Sequence, residues 1–511
     1  MSRIENTSKN FAFSLIATIV TAITSFISRT VFIKIIGVSY LGANSLFANI
    51  LSMLSLTELG LSSAIAFSLY APLAKKDTDT IKSLMSFYKK AYRVIALVIL
   101  VLGLTLIPFL DYLIKDPGDI EHIPFIYLVF LYNTVVSYLF TYKTTLIVAD
   151  QRSYMLTNMT TIINVVSVAI QVCALLLFKN YFVYLILGAV INTVQWYWIN
   201  KRIFKTYPYL KEKDVKPLIQ SEKKTIATNV KAMVFHKFGE LCINQTDNII
   251  ISSFINIAAV GIYNNYYMII SIINKFAQSV FGAATASFGN LIATESKEKR
   301  YEVFKRYNFL GFWVFGWTGI CLYELLTPFV RLWLGNDFII DGFTLGLVML
   351  NYYLVGMRVT VGNVKMASGL YAQDQWVPVV QAVINLAVSI VAALRMGLAG
   401  VFLGTVVSGL AIPCWYRPII VYKHTFERSA KEYFITYLKY FAVVILGLTI
   451  VKFTDIVLVD SLILNKYLAF LAKMFVCAII PNAVICLIFR RSEEFKYFFS
   501  LTKTFIKRRN S

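Results

Sequence analysis

Residues 234–255 read VFHKFGELCINQTDNIIISSFI. The stretch is long and apolar enough to cross a bilayer, yet it carries His236, Lys237, Glu240, Asn244 and Asp247. Lys237, Glu240, Asn244 and Asp247 follow one another at spacings of three or four, so a helix puts them on one face. A charge near the bilayer centre costs about 2.5–3.5 kcal/mol on insertion scales. A single polar stripe on an apolar span has two readings. The helix lines a wet cavity inside a bundle, or its polar groups are satisfied by neighbouring helices. The stretch alone leaves both open.

The surrounding chain sets the class. Of 511 residues, 58% are hydrophobic and only 15% are charged, which is outside the range of a water-soluble domain. Apolar runs recur between Phe11 and Phe489 with short polar breaks. A length criterion of about 20 residues gives about fourteen spans. They fall at 11–36, 42–71, 91–114, 123–149, 153–178, 181–203, 229–254, 257–284, 307–334, 342–370, 376–396, 398–422, 433–453 and 465–489. The expected fold is therefore all-α and polytopic. The first run is longer than a signal-peptide core and lacks a small-residue cleavage site, so it is expected to stay as the first span.

The net charge of +22 raises the question of nucleic acid. Its placement points instead to topology. Lysine and arginine concentrate in every second loop, as in Lys75 to Lys90, Lys201 to Lys224, Lys297 to Arg306 and the tail from Arg490. The positive-inside pattern then places both termini in the cytoplasm. Two basic pieces carry an apolar stripe: Ile81, Leu84, Met85 and Tyr88, and Phe495, Phe498 and Phe499. Each reads equally as a helix lying on an anionic leaflet or as an ordinary amphipathic loop helix. Trp196, Trp198, Trp415 and Tyr416 read as belt residues at cytoplasmic span ends. The six cysteines form no CxxC pair and sit in apolar runs, so they read as packing residues.

The chain repeats itself at an offset of about 220 residues. Leu41-Gly42 matches Val260-Gly261, and Pro108-Phe109 matches Pro328-Phe329. Lys143 before Asp150 matches Lys365 before Asp374, Asn164 matches Asn385, and Gly188 matches Gly404. Spans six apart share an orientation, so the repeat is parallel and places a substrate site between the halves. The expected organisation is a six-helix lobe at 1–205, a basic linker at 206–228 and a second six-helix lobe at 229–425. Spans thirteen and fourteen (426–490) and a basic tail (491–511) lie outside the repeat.

The charges inside spans carry the functional reading. Arg29, Lys143, Lys237, Lys275, Arg358 and Lys365 are basic; Glu58, Glu240, Asp247 and Glu324 are acidic. A mainly cationic column through the membrane fits an anionic substrate. Arginine offers bidentate contacts to phosphate, and lysine a point charge. Lys143 and Lys365 have a second reading, snorkelling to the interface. Asp247 lies one residue from the repeat position of Arg29, which suggests an ion pair or an ion-coupling group. His236 reads as a packing residue. No GxxxxGK[ST] loop, HExxH motif or metal-ligand cluster is present, and no cofactor is expected.

The chain resembles the polysaccharide flippases (Wzx-like) of the multidrug/oligosaccharidyl-lipid/polysaccharide exporter superfamily. The resemblance rests on Asn244 to Ser252, Val260 to Tyr263, Lys365 to Tyr371 with Asp374, Asn385 to Ser389, Gly400 to Thr405 and Trp415 to Pro418. It implies two six-helix lobes around a central cavity, two further helices and rocking between inward- and outward-open states. It implies a substrate of undecaprenyl-diphosphate-linked oligosaccharide, moved to the outer leaflet of a bacterial cell membrane by a monomer. Arg29, Lys143, Arg358 and Lys365 would hold the diphosphate, and a proton or sodium gradient would act through Glu58, Glu240 or Asp247. Rival expectations are a flippase for lipid II or a teichoic-type precursor, then an ion-coupled drug exporter. A cationic drug would want an acidic cavity, which the basic bias opposes. From another class, a membrane glycosyltransferase or polymerase would need an outer carboxylate constellation, for which only Asp111, Asp116, Asp119 and Glu121 are dense enough.

Overall fold

A computed structural model describes residues 3–55, 61–212, 215, 217–218, 245–370, 372–461 and 465–500. All regular elements among them are helices. In chain order these are α1 (Arg3–Ile35), α2 (Val38–Leu54), α3 (Leu61–Lys75), α4 (Thr78–Thr105), α5 (Ile123–Ala149), α6 (Ser153–Phe178) and α7 (Tyr181–Thr206). Then follow α8 (Ile257–Thr294), α9 (Lys297–Trp333), α10 (Gly342–Ala367), α11 (Val377–Met396), α12 (Leu398–Ala411), α13 (Pro413–Val421), α14 (Lys431–Thr454) and α15 (Lys466–Phe489). The chain is a multi-pass membrane protein: 11 described helical spans are long and apolar enough to cross a bilayer.

The expected count was about fourteen, and the difference has local causes. The second span is shared by α2 and α3, of 17 and 15 residues, each short of a bilayer. The seventh is described only over its helical residues 245–254. The eighth, α8, is long enough but carries Asn264, Asn265, Asn274 and Lys275. Lys237, Glu240 and His236 lie outside the described residues, as does Glu58.

The described chain divides into two compact units, Met1–Gly261 and Ile262–Ser511. In the first, α1 runs along α6, and α5 packs between α4 and α7. Phe47, Tyr88, Tyr92 and Tyr127 are fully buried there. The Tyr127 hydroxyl donates to Gly103 O at 3.0 Å. Ile81, Leu84, Met85 and Tyr88 are buried in this core, so their apolar stripe faces protein and not a leaflet. The segment at 252–261 belongs to the unit through backbone contacts. Lys115 N donates to Ser252 O at 3.2 Å, and Ser252 Oγ donates to Leu113 O at 2.5 Å. Gly42 and Gly261, paired by the repeat, lie against each other. A Cβ on Gly42 would stand 2.0 Å from Ile257 O, so only glycine permits this approach.

In the second unit α11 and α12 form the tightest helix pair. The reason is again small residues: a Cβ on Gly400 would stand 2.2 Å from the Ala392 carbonyl, and one on Gly404 would stand 2.5 Å from Ser389 N. Gly188, matched to Gly404 in the sequence, also lies against the preceding helix: a Cβ on it would stand 2.7 Å from Gln171 Nε2. The two helices outside the repeat, α14 and α15, dock on α9 and α10. Phe309, Phe312, Tyr353, Met357, Tyr440 and Ile485 form the seam. Phe312 stacks on Tyr440 with ring centroids 4.2 Å apart, and Trp313 Nε1 donates to Asn482 Oδ1 at 2.7 Å. Such an aromatic pair adds about 0.5–1.5 kcal/mol beyond its area. Phe495 and Phe498 of the tail pack on this seam, and Phe499 remains exposed.

Candidate functional site

The second unit gathers four charged groups. Lys365 lies in the last turn of α10, and Arg358 lies seven residues earlier on the same face, a rise of about 10 Å. Lys365 is buried, and its Nζ donates to Asp374 Oδ2 at 2.5 Å. Asp374 follows the helix by a short turn and its side chain has no exposure. Arg417 of α13 reaches the same Oδ2 with Nε at 3.3 Å. Arg358 Nη1 donates to Gly409 O at 3.4 Å and lies 3.9 Å from Cys414 Sγ. Arg358 and Arg417 are close enough to repel each other. Two cations thus share one carboxylate, a third lies close to Arg417, and the cluster keeps a positive surplus.

The repeat-related position in the first unit is built differently. Seven residues separate Lys143 from Asp150, against nine between Lys365 and Asp374. The shorter connection leaves the two partners apart. Lys143 is buried, and its Nζ donates to the neutral Asn200 Oδ1 of α7. The ammonium also sits 4.4 Å from the Phe204 ring centre, a cation–π contact. Asp150 instead accepts from the Tyr207 hydroxyl at 2.7 Å and pairs with Arg152 Nε at 3.0 Å. Burial first, then the Asp150 contact, push the Tyr207 hydroxyl well above its ordinary value. Lys143 therefore keeps its charge uncompensated by Asp150.

Arg29 lies on α1, half-buried beside Tyr184. Phe32, one turn on, packs its ring against Tyr184 at 5.1 Å and Tyr181 at 6.0 Å. The Tyr181 hydroxyl donates to Asn44 Oδ1 at 2.5 Å. Lys275 is exposed on α8, and Asp247 is half-buried within helical residues 245–254. Of the sequence candidates, Arg358 and Lys365 come together in one cluster. Lys143 and Arg29 stand in separate surroundings of the first unit.

A groove of about 580 Å³ in the first unit has an uncharged lining that mixes Ala48, Leu51, Phe130 and Tyr138 with polar side chains. Ser52 and Ser55 come from the end of α2, and Asn133, Thr134, Ser137 and Thr141 from α5. Asn192 of α7 also lines it and donates to Asn133 Oδ1 at 3.1 Å. Thr134, Ser137 and Thr141 spend their hydroxyl protons on α5 carbonyls at 2.7–3.0 Å. Their oxygens keep lone pairs available as acceptors. Sequence reading missed this groove because serines and threonines in a span carry no charge signal. It also passed over Arg417 as a site residue; only the fold brings α13 to Asp374. The Lys–Asp repeat match was the available clue to Asp374.

Comparisons with known proteins agree with this architecture. The polysaccharide biosynthesis protein family matches residues 7–286. The fold is similar to that of the lipid II flippase MurJ in an inward closed conformation, at 15% identity and a TM-score of 0.65, covering 94% of this chain and 99% of that one. It is similar to an inward-facing multidrug resistance MATE family transporter of the MOP superfamily, at 12% identity and a TM-score of 0.59, covering 76% of this chain and 92% of that one. A mutant of the Vibrio cholerae MATE transporter VcmN is similar at 14% identity and a TM-score of 0.55, covering 83% and 99%. No curated protein sequence matches. An all-helical membrane fold of the MurJ and MATE type, with a family match over more than half its length, makes this chain a member of the polysaccharide biosynthesis protein family.

Proposed function

We propose that the protein is a flippase and moves an oligosaccharide linked to undecaprenyl diphosphate from the cytoplasmic to the outer leaflet of a bacterial cell membrane. In this reading it supplies repeat units for capsule, O-antigen or exopolysaccharide synthesis, and acts as a transporter and not an enzyme. The observation that carries it is the neutral groove of Ser52, Ser55, Asn133, Thr134, Ser137, Thr141 and Asn192 in a strongly basic membrane chain. Acceptor oxygens whose own protons are already spent on carbonyls suit a ligand rich in hydroxyl donors, as a sugar is. The diphosphate would be held by Arg29, Lys143, Arg358 and Lys365, with Lys275 and Lys237 as further cations. Arg417 extends that set, since its guanidinium shares Asp374 with Lys365.

Alternating access would proceed by rocking of two repeat lobes. Coupling to a proton or sodium gradient would use Asp247, Glu240 or Glu58. The lipid tail would stay in the bilayer, and one copy of the chain would suffice. A second reading, a flippase for lipid II or a teichoic-type precursor, draws on the name of the lipid II flippase whose fold the chain shares.

The test is surface polysaccharide in cells where this chain is the sole route for the repeat unit. Arg29→Ala and Arg358→Ala should each abolish export with membrane insertion intact. Full export by both variants would overturn the diphosphate assignment. Accumulation of a peptide-bearing rather than a purely glycan lipid intermediate would favour the second reading.

A further inference from the structure

A second pocket of the first unit, of about 510 Å³, has a different lining from the neutral groove. Lys82 and Lys89 of α4, Lys143 of α5 and Phe204 of α7 form three of its walls. Lys211 and Glu212, on the short turn after α7, form the fourth. We infer that this pocket binds a phosphate or diphosphate group, with Lys89, Lys143 and Lys211 as its cationic wall and Glu212 as a built-in competitor.

The charges lead to this assignment. Lys143 is held in place by Asn200 and by the Phe204 ring, so its ammonium is fixed before any ligand arrives. Lys89 is close enough to repel it. An anion between them removes that repulsion and gains charge-assisted hydrogen bonds from both. Lys82 is already answered, by Asp79 at 2.8 Å and by Glu212 at 2.7 Å. The Glu212 carboxylate thus occupies an anion position at the rim. Its side chain is 57% exposed, so the contact is a weak surface pair that a more highly charged phosphate can displace. In the second unit Lys365 is instead paired with Asp374.

The site deepens the transport reading, on which it rests for the cellular identity of the ligand. It would be the first contact of the diphosphate with the protein. The binding measurement itself needs no transport. The full chain in nanodiscs of phosphatidylcholine is acetylated, and lysines are quantified by mass spectrometry. Inorganic pyrophosphate should protect Lys89 and Lys211 and leave Lys76, exposed on the turn after α3, unchanged. Glu212→Gln should lower the protecting concentration about tenfold, and Lys89→Gln, followed at Lys211, should raise it about tenfold. Lys89 is exposed, so its replacement does not threaten folding. A second arm replaces half the lipid by phosphatidylglycerol and omits pyrophosphate. Protection there assigns the site to a lipid headgroup; protection by pyrophosphate alone assigns it to a diphosphate. No protection in either arm, or equal protection of Lys76, overturns the proposal. Loss of binding with export intact removes this site and leaves the transport reading. Protection intact with export unaffected by Arg29→Ala and Arg358→Ala does the reverse.

Discussion

Asp374 is the residue on which the charged cluster of the second unit depends. Its carboxylate is fully buried and takes both Lys365, at 2.5 Å, and Arg417, at 3.3 Å. Removing one partner of a buried pair leaves an uncompensated charge and costs about 3–5 kcal/mol, whereas replacing both partners with apolar groups costs much less. Asp374→Asn should therefore lower the thermal midpoint in detergent sharply. Lys365→Met and Arg417→Met combined with Asp374→Leu should recover much of the loss, since no charge is then left unpaired. A triple variant as unstable as Asp374→Asn would mean that the ion cluster is not the source of the effect. At this scale the sequence was partly legible. Lys365 was visible as a charge inside a span, and the repeat pointed to Asp374 beside it. That the lysine is answered by its own aspartate, while Lys143 takes a neutral asparagine, follows from two residues of connection length. No pattern of residue types states where such a turn will aim.

At the scale of elements, glycines set how closely helices approach. A Cβ on Gly42 meets the Ile257 carbonyl at 2.0 Å, and one on Gly261 meets the Val38 carbonyl at 2.3 Å. Backbone cannot move aside as a side chain can, so Gly42→Ala should destabilise by about 1–3 kcal/mol. Gly362→Ala is the control: nothing lies within 4 Å of its added Cβ, and α10 should gain about 0.5–1 kcal/mol from the lost glycine. Equal midpoints for the two variants would refute the close-contact account. Capping gives a pH test. Asp341 begins α10, accepting from Thr344 N at 2.9 Å and Thr344 Oγ1 at 2.5 Å. Burial alone would raise its carboxyl, but the Thr344 hydrogen bonds outweigh it and hold the carboxyl below the usual range. A lowered folded value stabilises above the ordinary carboxylate value and is lost as pH falls through the folded one. Asp341→Ala should cost about 1 kcal/mol at neutral pH, with the gap to wild type narrowing on acidification. Span positions were legible because twenty apolar residues leave few choices; span six was expected at 181–203 and α7 runs from Tyr181 to Thr206. The division of span two between α2 and α3 was not legible, because the run from residue 42 to 71 is apolar on both sides of its single charge, Glu58.

At the scale of the whole molecule, the most buried spans all belong to the second unit, whereas α14 and α15, at 22% and 17%, are as open as the spans of the first. In α1 and α4 through α7, only 11–22% of the apolar windows is buried. In α9, α10 and the span of α12 and α13 the shares are 50%, 61% and 56%. The added helices explain much of this. α14 and α15 cover α9 and α10 with the Phe309, Phe312 and Tyr440 seam. Trp313 and Trp317 anchor α15 through Asn482 Oδ1 at 2.7 Å and Cys477 O at 3.1 Å. A unit clad on one side should open less readily there, since local opening tracks the buried contacts that must be broken. Hydrogen–deuterium exchange in detergent should accordingly find α9 and α10 the slowest amides and α1 faster. Trp313→Ala should raise exchange in α9 and α15 while leaving α5 and α7 unchanged. Uniform exchange across both units would show that the cladding adds no local stability, and the seam would then serve only to position the two extra helices.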